Sequence, residues 1–202
     1  MIRSNIPLFK KTLLPIVLGI ILGIATFYPF TFTNSISMGF IGGIKRNQWV
    51  THFDLSMENQ NPWLRNYIAF IGLLGSIRPE VIYLEAMNDN DGIKMSGEND
   101  YVLSGIPPKS RYWSFVIYDY KNSLIEPFEE TVANSYRTLI KDNGEYEIIL
   151  TSHPDEYFGK QIINHGGKDF TIIMRIYGPN LNYYENKNSI PVGNITKVRP
   201  NG

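Results

Sequence analysis

The stretch from Arg111 to Tyr118 constrains the fold most strongly, because its side chains alternate between two faces that are both largely apolar. One face carries Trp113, Phe115 and Ile117, and the other carries Tyr112, Ser114, Val116 and Tyr118. Pro107 and Pro108 precede it and favour an extended entry into the strand. A strand with two apolar faces is typical of a sheet that is covered on both sides. We therefore predict that this stretch is the central strand.

The pattern from Val81 to the end of the chain is one of short strands and turns, without a helical run between them. Such spacing predicts a mainly β fold, an antiparallel β-sandwich, over residues 61–202. Asn61 and Pro62 are typical of a helix N-cap followed by the first helical position, so a short helix should lead into the sandwich. Residues 33–60 are predicted to be a linker or an amphipathic segment.

An uncharged apolar run extends from Thr12 to Phe32 and approaches the ~20 residues that a membrane-spanning helix needs. A cleaved signal peptide is the alternative, but bulky residues follow the run where small ones are expected. Lys10 and Lys11 precede it and place residues 1–11 in the cytoplasm. The sequence therefore predicts a single span at residues 12–32 in the inner (plasma) membrane, with the C-terminal domain outside the cytoplasm and the lipid bilayer as a partner.

Gly19 and Gly23 form a G-x-x-x-G pair inside this run. Two such helices can approach closely through their glycines, which would give a homodimer. The alternative is that glycine is simply common in membrane helices.

Composition excludes several classes of function. The formal net charge of +0 argues against nucleic acid as a partner, because such proteins carry a broad basic surface. The chain has no cysteine, which excludes disulfides, thiolate metal sites and a cysteine nucleophile. No phosphate-binding, dinucleotide-binding or nucleophile-elbow motif occurs, so we expect no cofactor and assign no catalytic residue.

Three polar groups are candidates for sites of chemistry. His153, Asp155 and His165 could in principle hold a metal, but their spacing fits no standard zinc site, and no metal is predicted. The stretch Asn88–Gly92 starts like a calcium loop but lacks the downstream glutamate, so a hairpin turn is predicted there. Glu126, Glu129 and Glu130 are interpreted as a solvated acidic loop rather than as a glycosidase pair.

Arg111 and Arg175 are the charges that stand out, because each lies in or beside an apolar strand, where a charge needs a partner or an open cleft. A structural ion pair is one interpretation. The other is a binding site in which these arginines clamp an anion beside aromatic rings, as suits glycans and polar lipids. The candidate ligand-binding residues are Arg111, Trp113, Tyr118, Arg175 and Tyr177.

The order of these motifs resembles a bacterial family known as domain of unknown function 1214, in particular its short members with a single span. The matching segments are Asn61–Arg65, Glu80–Tyr83, Asp89–Gly92, Tyr101–Leu103, Pro107–Tyr118, Asp142–Gly144 and Arg175–Pro179. The resemblance implies a sandwich of jelly-roll type with a helical lead-in. It implies no established catalytic residues.

Three functions are consistent with these patterns. The first is a membrane-anchored, extracytoplasmic β-sandwich that binds a polar small molecule, a glycan or another envelope component. The second is a hydrolase-like envelope enzyme with a carboxylate and histidine site, and the third is a structural subunit of an envelope complex. The missing nucleophile motif favours the first over the second.

Overall fold

The computed structural model describes residues 8–32, 43–51, 60–71, 76 and 79–198. The strands of this part form two sheets. The six-stranded sheet runs in the order β1 (Ile44–Arg46), β2 (Trp49–Thr51), β3 (Val81–Ala86), β9 (Phe170–Pro179), β5 (Ser110–Asp119) and β6 (Val132–Asn134). The four-stranded sheet runs in the order β10 (Asn194–Lys197), β4 (Tyr101–Gly105), β7 (Tyr146–Thr151) and β8 (Ile162–Asn164).

The helices are few and, apart from the first, short. They are α1 (Leu8–Phe32), α2 (Pro62–Ile71) and α3 (Asn182–Glu185), with 3₁₀ turns at Phe128–Glu130, Pro154–Tyr157 and Lys187–Ser189. The mainly β prediction is thus confirmed for the described residues. A wholly antiparallel arrangement is wrong at one place, since β7 and β8 pair in parallel. This is possible because the connection over residues 152–161, including the 3₁₀ turn at Pro154–Tyr157, returns the chain to the same end of the sheet.

The strand predicted to be central is β5, which lies second from the edge of the six-stranded sheet, between β9 and β6. It pairs with β9 along almost its whole length. Its inner face lies in the core, where Trp113 is 4% exposed and Phe115 and Ile117 are fully buried. Tyr146 from the other sheet packs 5.7 Å from Trp113 and 5.3 Å from Phe115, measured between ring centroids. These aromatic contacts join the two sheets face to face.

The outer face of β5 is also largely covered, as its apolar pattern predicts. Ser114 and Val116 are 4% and 2% exposed. The middle of this face is therefore withdrawn from water, whereas Tyr112 and Tyr118 at its two ends are half-buried. A charge near the middle costs free energy unless it has a partner.

The segment predicted as a linker, residues 33–60, contributes two strands to the sheet. β1 and β2 form a hairpin, and β2 pairs with β3. Trp49 is fully buried, and its indole N–H donates to the Gly193 carbonyl at 2.6 Å. Alternation over three residues is too short a signal to identify such strands from the sequence.

The N-terminal helix is present and begins at Leu8, before the predicted start at Thr12. Its side chains from Thr12 to Thr26 are exposed, including nine large apolar ones. Within the described residues, however, no helix combines the length and the apolar character needed to cross a membrane, so the span predicted at residues 12–32 is not supported here.

Candidate functional site

Arg175 and a group of tyrosines lie on the outer face of the six-stranded sheet. β9 is flanked there by β3 and β5, and the register places Tyr83 and Ser114 on either side of Arg175. Tyr177 and Tyr112 form the next pair along the same face. The period of two along each strand brings these side chains together on one face.

The guanidinium of Arg175 is held by tyrosine. Its Nη2 donates to the Tyr118 hydroxyl at 2.5 Å, and its Cζ lies 5.7 Å from the centroid of the same ring. Tyr118 is paired with Thr171 rather than with Arg175, so the contact joins two side chains that are not directly opposite each other in the sheet. Among the described residues, no carboxylate lies within 4.0 Å of this guanidinium.

The other tyrosines complete the cluster. Tyr112 lies 5.5 Å from Tyr177 and 5.3 Å from Tyr136, between ring centroids. Burial raises the pKa of Tyr177, Arg175 lowers it, and Tyr83, Tyr112 and Tyr118 raise it further, as expected for groups that share one surface. We call this group of side chains the outer tyrosine cluster. It consists of Arg175 and the tyrosines around it, Tyr83, Tyr112, Tyr118, Tyr136 and Tyr177.

Of the five candidate residues, the structure brings together Tyr118, Arg175 and Tyr177. Trp113 lies on the opposite, inner face of β5 and belongs to the core. Arg111 lies at the strand end, where it faces Glu80 at 3.8 Å with a side chain that is 71% exposed. Arg111 packs against Gly178, which has a φ of +54°. A Cβ at position 178 would lie only 3.1 Å from the Arg111 Cβ, so both the backbone conformation and the close contact favour glycine there.

Sequence reasoning missed Tyr83, Tyr112 and Tyr136 as members of the site. The signal was present for Tyr112, which alternates with Trp113 onto the face of Tyr118. Tyr83 joins the cluster only through the pairing of β3 with β9, and this long-range register is not visible in a single sequence.

Glu85 lies on the same face as Arg175, in an apolar surrounding. Its cross-strand neighbours are Val50 on β2 and Ile173 on β9. Burial raises the pKa of Glu85 to about 7, and the Thr171 side chain acts in the opposite direction. A carboxyl group in such a place favours its neutral form.

A second concave region lies at one end of the four-stranded sheet. It is a cleft of about 350 Å³ lined by Glu98, Asn99, Asp100, His153, Glu156, Tyr157 and Val198. Tyr157 donates to the Asp100 carboxylate at 2.8 Å. Sequence reasoning missed this cleft, because its residues come from three separate segments of the chain.

The other polar groups have structural surroundings. Asp89 is buried, and its carboxylate accepts from the backbone N–H groups of Asp91 and Ile93 at 3.0 and 2.9 Å, so the predicted turn is confirmed. Within the described part of the chain, no three His, Asp or Glu side chains are placed to hold a metal ion. Glu129 and Glu130 are exposed in a 3₁₀ turn.

The chain shares its fold with one solved structure. The VPA0106 protein of Vibrio parahaemolyticus is 20% identical, with a TM-score of 0.56 over 70% of this chain and 36% of that chain. A putative uncharacterized protein of Burkholderia cenocepacia is 14% identical, with a TM-score of 0.46 over 64% of this chain and 33% of that one. This chain thus spans about a third of the length of these structures.

No curated protein shows a significant match to the chain. A family model does match, over residues 80–181, which is just over half of the sequence and includes β3 to β9 with Arg175, Tyr118 and Tyr177. The chain therefore belongs to the family described as "Protein of unknown function (DUF1214)".

Proposed function

We propose that this protein is a binding protein, and that the outer tyrosine cluster is the part that holds a polar ligand with an anionic group, such as an acidic sugar. The observation that carries the proposal is Arg175, a half-buried side chain whose guanidinium receives a tyrosine hydroxyl but no carboxylate from the described residues. A charge in such a place is costly unless a counter-charge reaches it.

The chemistry of the cluster suits this class of ligand. Arginine presents a planar fork of donors that binds carboxylate or phosphate through two parallel hydrogen bonds. The rings of Tyr112 and Tyr177 supply apolar faces beside it, and their hydroxyls supply polar contacts. Glu85, on the same face, does not neutralise the arginine while its own carboxyl group is protonated.

The test is to measure the affinity of the protein for a hexuronic acid and for the corresponding uncharged hexose. Arg175→Gln should weaken binding of the acid more than tenfold, which is about 1.4 kcal/mol. It should lower the free energy of unfolding by about 1 kcal/mol or less, since a single tyrosine hydrogen bond is lost. Isothermal titration calorimetry and chemical denaturation measure the two quantities on the same samples.

Arg137→Gln is the matched control, because Arg137 is exposed and lies outside the cluster. It should change neither quantity. A loss of about 3–5 kcal/mol in the stability of Arg175→Gln would instead identify a buried structural pair. Equal binding of acid and neutral sugar by the unaltered protein would exclude the anion clamp.

We further propose that α1 attaches the sandwich to the inner (plasma) membrane. The support is its composition: Leu, Ile and Val side chains are exposed all around the helix between Leu13 and Ile24, and Lys10 and Lys11 precede them. Apolar surface of this extent is stabilised by lipid rather than by water. A homodimer through Gly19 and Gly23 would use the same helix, where a Cβ at either glycine meets no atom within 4 Å.

Ile20→Arg should move the full-length protein from the membrane pellet to the supernatant, because a charge in apolar lipid is costly. Fractionation of cells after a high-salt wash measures this. Ile106→Arg is the matched control, since Ile106 is 61% exposed on the sandwich, against 57% for Ile20 in α1. The same distribution for both variants would contradict attachment through α1.

A further inference from the structure

We propose that Glu85 couples ligand binding at the outer tyrosine cluster to a proton. The anion binds beside Arg175 while the Glu85 carboxyl group is neutral, and the ionised carboxylate of Glu85 takes the place of the anion. This inference rests on the proposed function and adds to it the residue that decides at which pH an anion is accepted. Glu85 acts on the ligand through Arg175 and need not touch it.

The register of β3 and β9 makes Glu85 and Arg175 diagonal neighbours on the outer face. Tyr83 is directly opposite Arg175, whereas Glu85 is opposite Ile173, which precedes Arg175 by two positions on the same face of β9. Side chains that are offset in this way are about 7–8 Å apart, a span that long side chains can bridge. A glutamate and an arginine are among the longest, so the two charged ends can meet.

Glu85 and Arg175 nevertheless do not form an ion pair. The guanidinium of Arg175 donates instead to the Tyr118 hydroxyl, on the β5 side of β9. The ion pairs among the described residues involve the glutamates Glu80 and Glu147. Two opposite charges in a partly dry place are costly apart and would be expected to pair. Their separation therefore fits a neutral carboxyl group and a guanidinium that is left available.

The surroundings of Glu85 favour this neutral form. Its neighbours across the sheet are the apolar side chains of Val50 and Ile173, and Lys45, the charged group beyond Val50 in the same row, is exposed. The other titratable groups on this face of the described strands are the guanidinium and the phenols of the outer tyrosine cluster. Burial raises the pKa of Glu85 to about 7, and the Thr171 side chain acts in the opposite direction. Glu85 thus changes its charge near neutral pH.

Ionisation of Glu85 sets up a competition for Arg175. The neutral carboxyl group leaves the guanidinium to the ligand, whereas the carboxylate is a counter-ion within reach and repels a second negative charge on the same face. Above pH 7 the anion can bind only if Glu85 first takes up a proton. The apparent affinity therefore falls in proportion to the fraction of neutral Glu85, which is about a tenth at one pH unit above the pKa.

Titration of the full-length protein with a hexuronic acid at pH 5.5 and pH 8.5, at constant ionic strength, tests the coupling. The carboxyl group of the acid is ionised at both pH values, so the charge of the ligand does not change. We expect the Kd to be about tenfold higher, or more, at pH 8.5. Calorimetry in two buffers of different ionisation enthalpy also counts the protons. It should show uptake of nearly one proton per ligand at pH 8.5 and almost none at pH 5.5.

Variants assign the proton to Glu85. Glu85→Gln keeps the shape of the side chain but does not titrate, so it should bind the acid equally well at both pH values and take up no proton. Lys45→Gln is the matched control, because Lys45 lies in the same row as Glu85 but is exposed. It should keep the dependence on pH. The proton count is made on the unaltered protein, so it remains decisive if Glu85→Gln does not fold.

Two results would overturn this inference and leave the anion site in place. One is binding of the acid with the same affinity at both pH values and no uptake of a proton. The other is an undiminished dependence on pH in Glu85→Gln, since another group would then carry the proton. Absence of hexuronic acid binding at both pH values contradicts the proposed function itself, and the coupling to Glu85 with it.

Discussion

Replacing Trp113 with alanine is expected to lower the free energy of unfolding by about 3–5 kcal/mol, as is usual when a large aromatic side chain is removed from a core. The residue is 4% exposed and contacts Phe115 and Tyr146 at ring-centroid distances of 5.5 and 5.7 Å. Tyr146 belongs to the other sheet, so the substitution opens a void between the sheets rather than at an edge. The loss is a large share of the ~5–15 kcal/mol typical of a whole domain.

Chemical denaturation of the full chain, followed by far-UV circular dichroism, measures this change. Phe158→Ala is the matched control, because Phe158 is also aromatic but is 98% exposed, and it should change stability by less than about 0.5 kcal/mol. Similar stability of the two variants would show that β5 does not organise the core.

The sequence was sufficient to predict the elements whose pattern is local. Alternation from Arg111 to Tyr118 predicted a strand covered on both faces, and both faces are buried at Trp113 and Val116. The helix start at Asn61 is confirmed by α2, where the Arg65 N–H donates to the Asn61 carbonyl at 3.0 Å. Both signals depend on residues that are neighbours in the chain.

Elements defined by long-range pairing were not predictable in this way. The apolar stretches Tyr136–Ile140 and Tyr146–Leu150, joined by the turn residues Asp142–Gly144, predict a hairpin. That pairing is wrong beyond the turn: among the described residues only Ile140 bridges to Tyr146, and β7 pairs instead with β4 and β8. Its turn is nevertheless present at Gly144, with a φ of +83°. Turn chemistry is local, whereas the choice of partner strand is decided by the packing of the whole sheet.

The candidate site was predicted in part for the same reason. Tyr118, Arg175 and Tyr177 follow from alternation within β5 and β9. Trp113 does not belong to the site, because alternation places it on the opposite face of β5. Arg111 lies at the strand end beside Glu80. The cleft at Asp100 depends on three chain segments meeting, which no local pattern indicates.

Stability is expected to fall by about 2 kcal/mol between pH 4.5 and pH 7 because of Glu85, after allowance for partial access of water to its carboxyl group. In the folded protein, burial between Val50 and Ile173 raises the pKa of Glu85 to about 7, from an ordinary value of 4.5. Within this window the folded state keeps the proton, whereas the unfolded state has released it. Raising the pH therefore favours unfolding until Glu85 ionises in the folded state, and the dependence ends above pH 7.

Glu85→Gln tests this, because glutamine has the same shape and does not titrate. In the unaltered protein the free energy of unfolding should fall between pH 4.5 and 7. In Glu85→Gln we expect the part of this fall that comes from Glu85 to be absent, so the plot of unfolding free energy against pH becomes flatter. Glu129→Gln, at an exposed position, is the control and should leave the slope unchanged.

The slope is the decisive readout, because an amide buried at this site shifts stability at every pH alike, while only an ionising carboxyl group makes the shift depend on pH. An unaltered slope in Glu85→Gln would mean that the Glu85 carboxyl group ionises in the folded protein over the same pH range as in the unfolded one. It would then have a counter-charge or water beside it on the outer face. Arg175 lies two residues from Ile173 on the same face of β9 and is a candidate for that counter-charge, so the same measurement also tests whether its guanidinium is free to bind an anion.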